Sequence, residues 1–258
     1  MIRNEVKEKI RKGKPCVGLI SNLTCASLTE IFGIAGFDFI IFDMEHSTMS
    51  EETLEKLVRA AKLKGLVPFV RVRDNDVRKI MGVLDAGCLG VMIPEVETKE
   101  EAQQAVENTK YRPLGGRGVN WKTIAGEWGA VDPAEYLKTA NDQIMTLVQI
   151  ETAKGFQNVE EIVKVKGIDV LIIGPSDLSA SMGYPGNPKH PEVTKAIDKI
   201  IQTAKKAGIA LGRDGSSNKE AMAEAQKQGA LLFTTNAAAF ILENSQKIAK
   251  GMKDALSL

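Results

Sequence analysis

Thr146-Leu-Val-Gln-Ile-Glu151 and Val170-Leu-Ile-Ile-Gly174 are short runs, mostly apolar, that close on a carboxylate and on a glycine. Continuity of this kind reads as parallel strands buried on both faces, because a half-exposed strand would alternate in polarity. Upstream lie four more such runs: Val17-Gly-Leu-Ile-Ser21, Phe39-Ile-Ile-Phe-Asp43, Pro68-Phe-Val-Arg-Val72 and Gly90-Val-Met-Ile-Pro94. Downstream lie Ile209-Ala-Leu-Gly-Arg213 and Leu231-Leu-Phe-Thr-Thr235. Helix-period segments separate them, among them Glu51 to Lys64, Asp76 to Leu84, Lys99 to Thr109 and Glu192 to Lys206. Ser50 stands as a cap before Glu51, and Thr98 with Glu101 has the spacing of a capping box. Eight strands, each followed by helix, in about 250 residues is the count of a (β/α)8 TIM barrel, an α/β fold. A doubly wound open sheet uses the same alternation with fewer strands as a rule. No linker or shift of composition divides the chain, so residues 1–258 read as one domain.

Composition narrows the function. The 258 residues carry 34 Lys plus Arg against 33 Asp plus Glu, a formal charge of +1. That balance offers no basic field for a phosphate backbone, so nucleic acid is not the expected partner. Apolar residues at 43% and charged residues at 26% describe a globular protein rather than a disordered one. No apolar run approaches the roughly 18 residues of a bilayer span, and the first residues lack a secretory signal, so a cytoplasmic, membrane-free protein is expected. Cys16, Cys25 and Cys88 are few and have no metal-type spacing, which reads as free thiols.

In such a barrel the reactive groups collect at the C-terminal strand ends. Those ends carry Asp43-Met-Glu45-His46, Arg71 with Arg73 and Asp74 beyond it, Gln149-Ile-Glu151, Gly174-Pro175-Ser176-Asp177, and Arg213-Asp214. Glu151 and Asp177 end adjacent strands, so their carboxylates can meet at the mouth. Two such groups repel unless a hard divalent cation joins them; each could instead pair with an arginine or cap a helix. Arg71, inside an apolar strand, needs a partner, either a structural carboxylate or the carboxylate of a substrate. Gln149 shares a strand face with Glu151 and can add a neutral donor. His46 is either a hydrogen-bonded structural residue or an acid/base tuned by neighbouring acids, whereas His190, in Asn187-Pro-Lys-His-Pro191, reads as loop filler. The strand runs contain no lysine, which argues against a Schiff-base nucleophile and leaves a metal as the electron sink for carbanion chemistry. The irregular stretch from Tyr111 to Asp132 is expected to lie over the site.

Gly36-Phe-Asp-Phe-Ile-Ile-Phe-Asp-Met-Glu-His46, Leu84-Asp-Ala-Gly87 leading to Val91-Met-Ile-Pro94, Val148-Gln-Ile-Glu-Thr152 and Ile173-Gly-Pro-Ser-Asp-Leu-Ser179 together resemble the HpcH/HpaI aldolases. The likeness runs in register from about Gly18 to Pro191. It implies a class II, metal-dependent aldolase acting on 2-oxo acids, with Glu151 and Asp177 on Mg²⁺, Mn²⁺ or Co²⁺. It further implies that Gln149 and the backbone of Gly174, Pro175 and Ser176 hold pyruvate, that Arg71 stabilises the enolate, and that His46 is the acid/base. Asp85 would raise the basicity of His46, yet it falls near the C-terminal end of a helix, opposite the mouth of its own barrel. Either a neighbouring subunit supplies it or the helix boundary lies elsewhere; Asp43 is the local alternative. The resemblance also implies a homohexamer exchanging its last helix, which fits the amphipathic tail Ala238 to Ala255. Arg73, Asp74 and the charged Gly212-Arg-Asp-Gly215 depart from the common pattern where an aldehyde would be recognised. The expected reaction is reversible cleavage of a 4-hydroxy-2-oxo acid to pyruvate and an aldehyde. Competing readings are a citrate-lyase-like enzyme acting on a coenzyme A thioester, with Lys122 and Arg117 as its thin nucleotide groove, a phosphosugar isomerase, and a barrel that binds 2-oxo acids without turnover.

Overall fold

The computed structural model describes residues 2–215 and 218–256, with Asp214 through its backbone alone. A short helix, α1 (Glu5–Arg11), leads into β1 (Cys16–Ser21), α2 (Ala26–Ile34), β2 (Phe39–Asp43), α3 (Glu51–Leu63), β3 (Val67–Arg71), α4 (Val77–Asp85) and β4 (Gly90–Ile93). The second half runs α5 (Lys99–Thr109), α6 (Pro133–Gln143), β5 (Met145–Ile150), α7 (Ala153–Ile162), β6 (Val170–Ile173), α8 (Pro175–Ser181) and α9 (Pro191–Ala207). It ends with β7 (Ala210–Asp214), α10 (Lys219–Lys227), β8 (Ala230–Asn236) and α11 (Ala237–Ala255). The strands pair in sequence order, and β8 closes onto β1 in a parallel barrel. The open sheet is excluded.

Strand alternation divides the apolar residues between two cores. Phe39, Ile41, Val67, Phe69, Met92, Met145, Leu147, Val170 and Leu232 fill the barrel, whereas Ile40, Phe42, Val70, Val91, Val148 and Leu171 face the helices. Every second residue continues the inner set, so Phe39-x-Ile41 leads to Asp43, Val67-x-Phe69 to Arg71, and Met145-x-Leu147 to Gln149. The polar ends of these strands therefore emerge inside the mouth. The Phe39 and Phe69 rings, 5.6 Å apart, fill the lower barrel so fully that a Cβ on Gly18 would lie 2.5 Å from the Phe39 carbonyl oxygen and 2.6 Å from its ring.

Helix starts are set by their caps. Ser50 accepts from Thr53 N–H, and Thr98 and Glu101 form the full capping box. Asp76 is itself the cap of α4, accepting from Arg78 and Lys79 N–H, so that helix begins one residue later than its pattern. His190 is a cap too: its Nδ1 accepts from Glu192 N–H at the start of α9, and its ring stacks on Tyr184. It is more than filler.

The Tyr111–Asp132 stretch does not lie over the mouth. It comes directly after a helix, and in alternating β/α order each helix delivers the chain back to the N-terminal end of the barrel. Its Arg117 pairs with Asp85, the last residue of α4, at 2.6 Å. Ile124, Ala125 and Glu127 line a base cavity of about 460 Å³ together with Ile2, Leu66 and Leu89. α1 closes the same end. Lys7 Nζ bonds the Ile144 carbonyl at 3.0 Å and Asp169 at 2.9 Å, and Asn4 bonds the Leu89 and Gln143 carbonyls.

Candidate metal and substrate site

Asp43 and Arg71 end neighbouring strands in direct register, so their side chains meet at the same height inside the mouth. Arg71 donates through Nε to Asp43 Oδ1 at 3.0 Å and through Nη2 to Oδ2 at 2.8 Å, a two-pronged pair. Burial would raise the pKa of Asp43, but the Arg71 fork and the backbone N–H of His46 outweigh it and hold the carboxyl below its ordinary range. Glu45 Oε2 lies 3.0 Å from Arg71 Nη1 and 3.6 Å from His46 Nε2 without accepting an aligned hydrogen bond from either. Burial, ahead of the pull of Arg71 and His46, sets the pKa of Glu45 above the usual value.

Asp43 is therefore not the ring partner of His46, because its oxygens are taken by Arg71 and by backbone N–H groups; Glu45 stands beside the imidazole instead. The His46 side chain is 63% exposed, open to a ligand from above. Both carboxylate partners of Arg71 are structural, yet its fork remains at the barrel mouth.

On the adjoining wall, Glu151 comes directly after β5 and is 3% exposed. Its Oε1 accepts from Glu95 N–H at 3.0 Å and its Oε2 from Gln149 Nε2. Burial first, and then the charges of Glu45 and Asp177, push this carboxyl up to about 7, against the lowering by the Glu95 N–H and Arg71. Gln149 is buried, and among the described residues its Oε1 has no partner. Gly174 lies so close that a Cβ there would sit 2.5 Å from Glu151 Oε2 and 2.9 Å from Gln149 Nε2, which makes glycine the residue this wall requires. Asp177 is in the first turn of α8, whose cap is Gly174, so Asp177 is not the cap itself; the N–H groups of such a turn have no intrahelical acceptor.

The donor set fits a hard cation. A buried carboxyl that the charges of Glu45 and Asp177 push up, with lone pairs to spare beside an orphaned amide oxygen, is what a divalent ion relieves. Among the described residues no three His, Cys, Asp or Glu side chains form a closed metal cage. A pair of carboxylates completed by substrate oxygens would be a Mg²⁺-type donor set.

Other expected residues lie elsewhere. Asp85 is at the base, far along its barrel from His46, and its partner there is Arg117. Arg213 turns outward to Gln228 Oε1 at 3.4 Å, so it does not face the mouth as expected; the Asp214 side chain lies outside the described residues. Arg73 donates to the Ser47 carbonyl at 3.1 Å and Asp74 pairs with Lys79. Arg117 is buried, which removes it from any nucleotide groove. Glu45 stood in the strand-end stretch only as one of the acids near His46, and Glu95 escaped the reading of the sequence, its one signal being its place just beyond a strand end.

The family model described as HpcH/HpaI aldolase/citrate lyase matches residues 17–239. The chain belongs to this family. A 4-hydroxy-2-oxo-heptane-1,7-dioate aldolase of Shigella sonnei (strain Ss046) is 39% identical to this family member over 212 residues, 82% of this chain and 80% of the relative. A 2-keto-3-deoxy-L-rhamnonate aldolase of Escherichia coli O9:H4 (strain HS) is 38% identical over 213 residues, 82% and 79% of the two chains. The crystal structure of an HpcH/HpaI aldolase/citrate lyase family protein from Burkholderia cenocepacia J2315 superposes with a TM-score of 0.89 at 32% identity, covering 97% of this chain and 99% of the other. No described helix of the aldolase-family chain is long and apolar enough to cross a membrane.

Proposed function

We propose that this chain catalyses the reversible, divalent-cation-dependent cleavage of a 4-hydroxy-2-oxo acid to pyruvate and an aldehyde. Its family makes it an aldolase, a carbon–carbon lyase, and the two relatives above are named for 2-oxo acids. The observation that carries the reading is Glu151, a buried carboxyl held up to about 7 beside Asp177, Glu45 and the Arg71 fork.

Glu151 and Asp177 would hold the cation, Mg²⁺, Mn²⁺ or Co²⁺, which supplies a Lewis acid for the 2-oxo group when bound. Gln149, Gly174, Pro175 and the Ser176 N–H line the seat of the pyruvate half. Arg71 faces the oxygen on which charge develops and stabilises it through its remaining N–H groups. His46 takes the proton of the C4 hydroxyl as the C3–C4 bond breaks; the bonding pair passes into the enolate and the aldehyde leaves. A proton returned to C3 completes pyruvate. The described strands contain no lysine, which removes a strand-borne Schiff base from consideration.

Asp85 cannot serve His46 of its own chain, so its role requires a second subunit whose barrel base meets this mouth. α11 supports such assembly: Leu242, Ile248 and Met252 stand exposed along it, a stripe that a neighbour would bury. The expected state is a homo-oligomer, a hexamer as in the resemblance.

The test is deuterium exchange at C3 of pyruvate. Exchange should disappear with chelator and return with Mn²⁺ or Mg²⁺. Chelator-insensitive exchange would remove the cation from the scheme, and pyruvate binding with no exchange at all would favour the barrel that binds without turnover.

A further inference from the structure

β4 ends at Ile93, Pro94 comes next, and Glu95 turns away with φ at 49°, in the left-handed region. A glutamate there is strained, because its Cβ crowds the following carbonyl oxygen. Two bonds hold the turn: Glu95 N–H on Glu151 Oε1 at 3.0 Å, and Val96 N–H on the Gln149 carbonyl at 3.1 Å. The strained backbone thus serves the buried carboxylate, and the Glu95 side chain starts beside it and stands exposed at the rim.

Among the described residues nothing pairs with the Glu95 carboxylate. The nearby cations each have another partner, and the spare N–H groups of Arg71 face the pyruvate half. Arg71 serves Asp43 and Glu45, Lys154 bonds Glu97 at 2.8 Å, and Arg73 bonds the Ser47 carbonyl on the wall of a separate small cavity with Met44, Met49 and Lys79. The charge of Glu95 is near enough to Glu45, two strands away, to add to the field on that carboxyl. Across the mouth, Thr234 is neutral.

We propose that Glu95 sets the specificity for the aldehyde half: its carboxylate turns away aldehydes that carry a second carboxylate and admits those with neutral, hydroxylated chains. This rests on the function proposed for the mouth, in which the pyruvate half lies against Gln149, Glu151 and Arg71. From that floor, everything beyond C4 leads outward to the rim that Glu95 occupies. A carboxylate arriving there meets a like charge that, among the described residues, no ion pair offsets, whereas a hydroxyl can donate to Glu95. At a half-exposed rim the discrimination amounts to about tenfold, and it weakens as salt shortens the reach of the charge.

The experiment compares condensation of pyruvate with glyceraldehyde and with succinate semialdehyde, in wild type, Glu95→Gln and Glu95→Asn with Mg²⁺ present. Asn tolerates the left-handed backbone, so the second substitution removes the charge without adding strain. Wild type should favour glyceraldehyde in kcat/KM by about tenfold or more, and both variants should shrink that ratio at least about fivefold. High salt on wild type should move the ratio the same way. Calorimetry gives an independent reading: 2-oxoglutarate should bind more weakly than 2-oxobutyrate, neither having the hydroxyl that cleavage needs, and Glu95→Asn should close the gap. Equal use of both aldehydes by wild type, or a ratio unmoved by either variant, overturns the assignment of Glu95. Absence of pyruvate exchange in wild type overturns the reading of the site instead. Should a variant fail to fold, the wild-type salt series and calorimetry still decide.

Discussion

The two ends of the barrel bury charge to a similar depth and treat it differently. At the base, Lys7 is matched by Asp169 and the Ile144 carbonyl, and Asp169 accepts in turn from Thr146 N–H at 2.9 Å. Lys110 donates to the Ile144 and Asn141 carbonyls at 2.6 and 3.0 Å. At the mouth, Glu151 and Glu45 are held above their ordinary pKa, and among the described residues Gln149 Oε1 and the Glu95 carboxylate have no partner. Burial alone does not mark a functional charge; incomplete compensation does, because an uncompensated desolvation cost is what a ligand can relieve. The base holds two exceptions: Lys110, whose ammonium meets only carbonyl oxygens and carries a structural cost, and Arg117, which fits the rule. Arg117 is fully buried and stacked 4.4 Å over Tyr111, with Nε and Nη1 unbonded, and it holds Asp85, the one base residue proposed to serve a second subunit.

That contrast can be broken at four points. The largest effect is expected from Glu151→Gln and Asp177→Asn, each lowering metal-dependent pyruvate exchange by about a thousandfold. Mn²⁺ should raise the melting temperature of wild type, and both variants should abolish that rise while leaving the metal-free protein at least as stable, since a repelling carboxylate has gone. Unchanged exchange in either variant would detach that residue from the cation. Next, Arg71→Lys should cut kcat by about a hundredfold, because a point charge cannot grip Asp43 through two bonds and face the enolate as well. Steady-state kinetics at saturating metal measures this, and wild-type turnover would confine Arg71 to a structural role.

Base substitutions should touch stability instead. Lys7→Met leaves the half-buried Asp169 without its ion-pair partner and should cost about 2 kcal/mol in denaturant unfolding. A loss of exchange without a loss of stability would break the division between the two ends. The smallest effect concerns pH. Burial, aided by Lys7, lowers Lys110 to about 8, so its ammonium is less favourable folded than unfolded. The resulting destabilisation is complete below pH 8 and relieved as pH rises through 8 towards the ordinary lysine value. Relative to Lys110→Met, wild type should gain about 2 kcal/mol between roughly pH 7 and 9.5 in unfolding free energy. Parallel pH profiles would show that the network compensates Lys110 fully.

Much of the fold was legible because buried parallel strands leave a local record. The run at Phe39–Asp43 and the helix at Lys99–Thr109 coincide with the observed elements, and the others shift by a residue or so where a cap such as Asp76 takes the first place. Asp43, Arg71, Gln149 and Glu151 were legible as mouth residues because period-two alternation carries the inner face to the strand end. The 111–132 stretch was misplaced because length alone suggested function, while chain direction decided which end it occupies. Arg213 was misread for a related reason: a charged strand end does not say which face its side chain takes, and this one turns out to Gln228.

The amino-acid order by itself determined eight strands alternating with helices and the set of polar residues delivered to one end, while the pairing of β8 with β1 decided that the sheet closes. The strands and their polar ends depend on near-neighbour spacing, which a linear chain carries in full. Only the folded molecule decided which charges meet: that Arg71 is shared between Asp43 and Glu45, that Glu45 rather than Asp43 flanks His46, and that the backbone of Glu95 holds Glu151. Such pairings join residues far apart in the chain, and their strength depends on burial and on distances of a few ångströms, quantities that exist only once the barrel has closed.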